Sequence, residues 1–310
     1  MHIPDGFLDT KTAIATAVLS AAAVATALQH LKRNVTRKQI PMMGLAAAFI
    51  FAAQMLNFPV AGGTSGHLMG AVLCSVLLGP SASIIVMSTV LIVQCFLFAD
   101  GGITTLGANI FNMAVAGTLT GYTVYRIVQR IIGSVRGKFA AIAFASWCST
   151  VAASILCAGE LAWSGTANWS ATFVAMTNIH MLIGLGEGII TTLVIAGIWK
   201  TRPELLDRQF VGTKRFYEFI SYGTIFTIGL ILFAAPFIST LPDGLERVAS
   251  SAGFDVRALK EPILNTPLAG YRMNGIITPE LATIIAGMTG MVVVFILSYT
   301  LAKVVAPKSK

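Results

Sequence analysis

Apolar runs of about twenty residues recur along almost the whole chain, and the basic residues collect in the short segments between them. A hydrocarbon core of about 30 Å takes roughly 20 apolar residues of helix, so a chain patterned this way has few options besides a bundle of membrane-crossing helices. Nine runs qualify, near residues 11–31, 41–57, 67–79, 81–98, 103–125, 139–158, 171–199, 218–238 and 279–302. The third is too short to span comfortably, so the pair 67–98 around Gly79-Pro80-Ser81 is expected to be tilted or partly re-entrant. Only 11% of the residues are charged, against about 25% in soluble domains, and 55% come from the set AVILMFWYC. Too little polar surface remains to solvate a globule. A soluble enzyme, a disordered chain and a disulfide-framed secreted domain are excluded, and the expected fold is an all-α, multi-span membrane protein. Cys74, Cys95, Cys148 and Cys157 fall inside apolar runs and are expected to be inert thiols packed as small hydrophobes.

The formal net charge of +8 would point to nucleic acid on a soluble protein. Here it encodes orientation instead, and no nucleic-acid partner is expected. Lys32, Arg33, Arg37 and Lys38 follow the first run, and Arg126, Arg130, Arg136 and Lys138 the fifth. Lys200, Arg202, Arg208, Lys214 and Arg215 follow the seventh, and Lys303, Lys308 and Lys310 close the chain. An excess of Lys and Arg marks the cytoplasmic side, which places the N-terminus outside a plasma membrane and the C-terminus inside. The start, MHIPDGFLDT, has no basic segment of the kind a cleavable signal carries, so the encoded terminus is expected to be the mature one. The outer loops hold nine acidic residues against five basic ones, a balance that concentrates cations within about a Debye length. The natural division is a seven-helix unit over 1–200, a basic linker over 201–216, and a two-helix hairpin over 217–310 with an outer loop at 239–278.

Two of the four histidines sit where an outward-facing site needs them. His2 is the second residue, and His67 follows the glycine-rich turn Gly62-Gly63-Thr64-Ser65-Gly66. A free amine, the backbone amide nitrogen of residue 2 and the Nδ1 of a histidine there can close adjacent five- and six-membered chelate rings on one metal. An imidazole from His67 would complete a plane of four nitrogens, the geometry of Ni(II) or Cu(II) and not of tetrahedral Zn(II). The chelate needs Met1 retained, as the bulk of His2 favours, and the Pro4-Asp5-Gly6 turn folding the terminus back. Against it stands the plain alternative that His2 is frayed and unused, as second residues commonly are.

Other candidates are weaker. His30 is read as a polar cap near the headgroups. His180 and Glu187 lie seven residues apart on one helix face, and Glu187 is the one acid deep in an apolar run, either functional or a protonated carboxyl bonded between helices. Asn109, Asn112 and the Asn57-Phe58-Pro59 turn either orient a ligand imidazole or act as glue between helices. Ala13, Ala17, Ala21 and Ala25 form a small-residue stripe, packed internally or docking a partner subunit. The segment Gly133-Ser134-Val135-Arg136-Gly137-Lys138-Phe139 has the wrong spacing for a phosphate loop, so ATP hydrolysis is not expected of this chain. No H-E-x-x-H occurs, which removes an intramembrane zinc protease.

Several blocks together resemble a known family. They are Met1-His2-Ile3-Pro4-Asp5-Gly6-Phe7-Leu8, Asn57-Phe58-Pro59 with Gly63-Thr64-Ser65-Gly66-His67-Leu68-Met69-Gly70, Asn109-Ile110-Phe111-Asn112-Met113, and His180 with Ile183-Gly184-Leu185-Gly186-Glu187. Over about residues 1–200 the chain resembles the CbiM/NikM family, the substrate-capture (S) components of energy-coupling factor (ECF) transporters for nickel or cobalt. The second unit, with Leu241-Pro242-Asp243-Gly244-Leu245-Glu246, is similar to the small PDGLE-type accessory subunit, here fused. The resemblance implies metal held by the Met1 amine, the His2 amide and imidazole, and the His67 imidazole. It also implies a transmembrane coupling (T) subunit and two cytoplasmic ATPases as partners, and toppling of the capture component in the lipid. Pro4-Asp5 looks like the nickel branch, with cobalt the alternative. From other classes, the competing expectations are a stand-alone cation channel or proton-coupled carrier using Glu187, and a metal sensor. The outer loop 239–278 is expected to assist metal loading or release.

Overall fold

The computed structural model describes residues 1–206, 213–259 and 263–307. Linker residues 207–212 lie outside the described residues, as do Lys260, Glu261, Lys308 and Lys310 among the charges used above. Each of the nine apolar runs carries helix, and the chain is an all-α, multi-span membrane protein. Six helices are long and apolar enough to cross a bilayer: α1 (Thr10–Asn34), α4 (Pro80–Phe98), α7 (Val135–Trp163), α8 (Trp169–Thr201), α9 (Thr213–Ala234) and α11 (Pro279–Val305). The apolar helix α2 (Gln39–Met55) is slightly shorter. The run at 103–125 is a continuous rod made of α5 (Leu106–Asn109), a π-helical stretch (Ile110–Ala116) and α6 (Gly117–Ile132).

The helices begin where polar side chains can take orphan backbone N–H groups. The Asp9 carboxylate accepts the Thr12 N–H at 2.9 Å to start α1, and the Ser134 hydroxyl accepts that of Gly137 at 3.0 Å to start α7. α1 turns Thr12, Thr16 and Ser20 inward, the last donating to the Gly107 carbonyl at 2.7 Å. Its alanine stripe lies mostly on the other side: Ala13 is half-buried, and Ala17, Ala21 and Ala25 are exposed.

The third run departs most from a simple crossing. Its helical part, α3 (Ala71–Leu78), has eight residues, about 12 Å at 1.5 Å per residue, and cannot span the bilayer. Gly79, at φ 93° and ψ 161°, a conformation that glycine alone adopts readily, breaks it from α4. Before α3 the chain forms an antiparallel hairpin, β1 (Phe58–Val60) with β2 (Thr64–Gly66), and then runs without regular structure to Gly70, which is left-handed at φ 84°. The glycine-rich turn over 62–66 is the tip and second strand of this hairpin. Non-helical backbone among membrane-crossing helices is tolerated only where its polar groups are satisfied inside protein or by water. The Glu187 carboxylate accepts the N–H groups of Met69 (2.6 Å) and Gly70 (2.9 Å), and the Gln54 side chain donates to the Met69 carbonyl at 2.8 Å. Glu187 thus sits at the N-terminus of α3, where negative charge is favoured.

In the second half, α9 and α11 pack on α2, and α11 also meets α4. The helix α10 (Gly244–Ala252) lies against α8 and β2. A capping box opens α10: Asp243 Oδ1 accepts the Glu246 N–H at 2.8 Å, and the Glu246 carboxylate accepts the Asp243 N–H at 2.9 Å. Glu160 belongs to the last turn of α7, not to an outer loop, and is buried with an oxygen accepting from Asn112 at 2.7 Å. The four cysteines are free thiols, Cys74, Cys95 and Cys157 buried and Cys148 half-buried.

Candidate metal centre

The first nine residues form a strap bound across one end of the bundle. Ile3 is fully buried, and every polar group of its backbone is held. Its N–H donates to Asn109 Oδ1 at 2.8 Å, while its carbonyl accepts from Asn109 Nδ2 at 3.1 Å, the Gly102 N–H at 2.9 Å and the Thr105 hydroxyl at 2.6 Å. The Asp5 carboxylate accepts the N–H groups of Ile103 (3.0 Å) and Thr104 (2.8 Å). The Thr166 hydroxyl donates to the Phe7 carbonyl. Gly102 has no room for a side chain: a Cβ there would lie 2.3 Å from the Asp5 backbone nitrogen.

This strap delivers the terminal amine to His67. The Met1 nitrogen is 2.9 Å from His67 Nε2 and, on another side, 2.9 Å from Asp243 Oδ2. His67 Nδ1 faces the Leu68 carbonyl at 3.2 Å, an arrangement in which Nδ1 carries the proton and Nε2 offers its lone pair to the amine. The His2 and His67 rings stand 5.4 Å apart, centroid to centroid, tilted by 44°. Burial, and after it the Met1 ammonium, lowers both imidazoles to about 3, so both are neutral and able to ligate near pH 7. Burial pushes the Asp243 carboxyl up, but the ammonium and the Glu246 N–H outweigh it and hold the group well below the usual carboxylate range. Burial raises the Asp100 carboxyl, against the opposing hydrogen bond from Tyr271.

The structure thus brings the Met1 amine within 2.9 Å of His67 Nε2, and sets the His2 ring beside them with its Nδ1 turned toward Asp100. Among the described residues no three His, Cys, Asp or Glu side chains gather as an all-side-chain metal centre requires. A donor set half made of backbone nitrogen is one that such a cluster cannot reveal. Beside it lies a cavity of about 20 Å³, lined among others by Met69, Met113, Thr150 and His180. His180 Nδ1 bonds the Met176 carbonyl at 2.8 Å, and its Cε1 lies 2.7 Å from where a Cβ on Gly244 would be. His180 borders the cavity and Glu187 holds the backbone after His67, so neither joins the four nitrogens. Asn109 grips the strap, and Asn112 pairs with Glu160.

Comparison with known proteins decides the kinship. The family model described as the cobalt uptake substrate-specific transmembrane region, CbiM, matches residues 2–205. The PDGLE domain model matches residues 217–307. The chain belongs to the CbiM family. A relative from Archaeoglobus fulgidus that carries the provisional name of a fused nickel transport protein, NikMN, is 36% identical over 98% of both chains. The cobalt transport protein CbiM of Sorangium cellulosum is 32% identical over 67% of this chain and 95% of its own. The crystal structure of a truncated transition metal transporter is 30% identical, with a TM-score of 0.59, over 64% of this chain and 99% of that one. This CbiM-family chain is thus kin to both nickel and cobalt transport proteins.

Two partners of the centre were invisible to the site reasoning above, Asp243 and the pair Asp100–Tyr271. Asp243 left one signal: Asp-x-x-Glu ahead of an apolar position is a capping-box spacing, and it marks where α10 starts. No signal in the sequence ties Tyr271 to Asp100.

Proposed function

We propose that this CbiM-family chain is the substrate-binding and translocating subunit of an ATP-driven uptake transporter of the energy-coupling factor type, and that it takes Ni(II) in a square plane of four nitrogens. The observation that carries the proposal is the 2.9 Å approach of the Met1 amine to His67 Nε2, next to the His2 ring. With metal–nitrogen bonds of about 2.0–2.1 Å, two ligands at a right angle lie about 2.9 Å apart. The hydrogen bond between amine and imidazole therefore already holds two donors at the spacing of neighbouring ligands. The metal replaces the proton between them, which is why capture releases protons.

In this reading the N-terminus faces outward and the basic segments lie in the cytoplasm of the plasma membrane. A transmembrane coupling subunit and two cytoplasmic ATPases supply the energy, and the exposed Ala17, Ala21 and Ala25 on α1 form the face that meets the coupling subunit. The chain itself is no enzyme. Glu187, with both oxygens taken by backbone N–H groups, caps α3 and is not a proton carrier. The loop 239–278 acts in loading, because its Asp243 holds the amine that the metal must engage. Co(II) uptake by the same ligands is the second reading, favoured by the cobalt transport relatives.

The test is equilibrium binding of Ni(II) and Co(II) to the purified chain with its native terminus, beside His67→Ala and a variant with one residue added before Met1. One extra residue moves the amine by about 3.5 Å along the chain. Both variants should lose high-affinity binding, and the native chain should give a diamagnetic square-planar nickel spectrum. An extended terminus that binds as tightly as the native one rejects the four-nitrogen plane.

A further inference from the structure

The PDGLE segment reaches the centre a second time, through Tyr271. The Tyr271 hydroxyl donates to Asp100 Oδ2 at 2.5 Å and accepts from Gln94 Nε2 at 3.0 Å. Its ring stacks on Phe98, centroids 4.9 Å apart, and leans on Phe51. The other oxygen of Asp100 stands 3.7 Å from His2 Nδ1, too far for a hydrogen bond and near enough to become one. Backbone strain gathers here as well. Among the described residues only Ala99 (φ 52°) and Tyr271 (φ 58°) are non-glycine residues with positive φ, and they flank this one contact. Such strain persists where surrounding structure over-determines a geometry, and it clusters at functional sites.

His2 supplies the independent observation. Its Nε2 is buried and meets no hydrogen-bond partner. If Nδ1 goes to a metal, Nε2–H is the donor left on the ring, and ligating imidazoles almost always give that N–H to a carboxylate, carbonyl or water. A half-turn about the Cβ–Cγ bond exchanges the two edges of an imidazole. The edge now presenting Nδ1 to Asp100 would then present Nε2–H, and Nδ1 would face the opposite side.

We infer that Asp100, held in place by Tyr271, is the positioning residue for the His2 ligand: it accepts the Nε2–H of the metal-bound ring and fixes the ring plane. The PDGLE segment thereby sets the orientation of a ligand supplied by the other half of the chain. The inference rests on the four-nitrogen capture reading and deepens it. A plainer role for Tyr271, a latch tying the loop to α4, predicts a different result when a neighbouring tie is cut, and Thr266, whose hydroxyl donates to the Leu97 carbonyl, is such a tie.

The experiment uses the full chain with its native terminus, titrated with Ni(II) against a competing chelator, with the visible circular dichroism of the bound nickel as second readout. Tyr271→Phe keeps the ring stack and removes the hydroxyl, Asp100→Asn weakens the acceptor, and Thr266→Val removes the hydroxyl that donates to the Leu97 carbonyl and accepts the Leu268 N–H at 3.3 Å. Tyr271→Phe and Asp100→Asn should bind nickel about 10–100-fold more weakly, with an altered dichroic spectrum. Thr266→Val should stay within about twofold of the native chain with an unchanged spectrum. The inference is overturned if Tyr271→Phe binds within twofold with the native spectrum, or if Thr266→Val weakens binding as much. If Asp100→Asn fails to fold, Tyr271→Phe decides alone. A native chain that binds nickel independently of His67 rejects the capture reading itself, and this inference with it.

Discussion

The Met1 amine and the His67 imidazole, 66 positions apart in sequence, stand 2.9 Å from each other because two separate scaffolds hold them there. Asn109, Gly102 and Thr105 grip the strap behind the amine. Glu187 and Gln54 grip the backbone just after the imidazole. Neither scaffold contributes a ligand, and each can be disturbed without touching one.

Gly102→Ala tests the first scaffold by crowding. Its Cβ would fall 2.3 Å from the Asp5 nitrogen and 2.6 Å from the Asp5 Cγ, so the strap must move. Overpacking of this kind costs about 1–3 kcal/mol. Nickel affinity should fall at least about tenfold while helix content by circular dichroism is unchanged.

Asn109→Ala tests it by removal. The Ile3 N–H is left buried without an acceptor, a cost of about 1–3 kcal/mol. The amide of Ile3 should then exchange with deuterium faster, and nickel should dissociate faster. Asn109→Asp keeps the acceptor but sets an oxygen against the Ile3 carbonyl, and it should be no better than alanine.

Glu187→Gln separates a cap from a proton carrier. The neutral amide can accept only one of the two N–H groups well, so thermal stability and nickel affinity should decline together, stability by about 1–3 kcal/mol. A carrier would show the contrary pattern, native stability and binding with transport abolished.

Acid should loosen the centre. Burial and the ammonium hold His2 and His67 near 3, against 6.5 when free. Between these values a detached strap binds protons that the seated one does not, so seating weakens as pH falls below about 6.5 and is fully present only above it. Nickel binding moves the same way, since protons compete for the ligands. Affinity measured at pH 5.5 should be well below that at pH 7.5, and an affinity independent of pH would show that these imidazoles are not ligands.

The membrane architecture was legible because nine apolar runs and their basic punctuation follow directly from bilayer thickness and charge bias. What hydropathy could not convey is that the third run spends its first four residues outside any helix. Its Leu68 and Met69 serve burial equally well in either conformation, and Glu187 and Gln54 satisfy the backbone groups that the irregular form leaves free. That Met1, His2 and His67 come together was legible from chelate chemistry, since residue 2 is a special position for a histidine. Asp243 and Tyr271 were not, because their contacts depend on how a loop more than 170 residues further on folds back, and no local pattern encodes that.

Asp243 on the amine and Tyr271 on Asp100 come from the same polypeptide as the groups they touch. Tethered partners meet at an effective concentration that reaches about millimolar for short flexible linkers. The two contacts belong to a larger junction, in which α9 and α11 pack on α2 and α11 also meets α4. Fusion and that helix packing thus keep the loop beside the site even when its grip on the amine is broken.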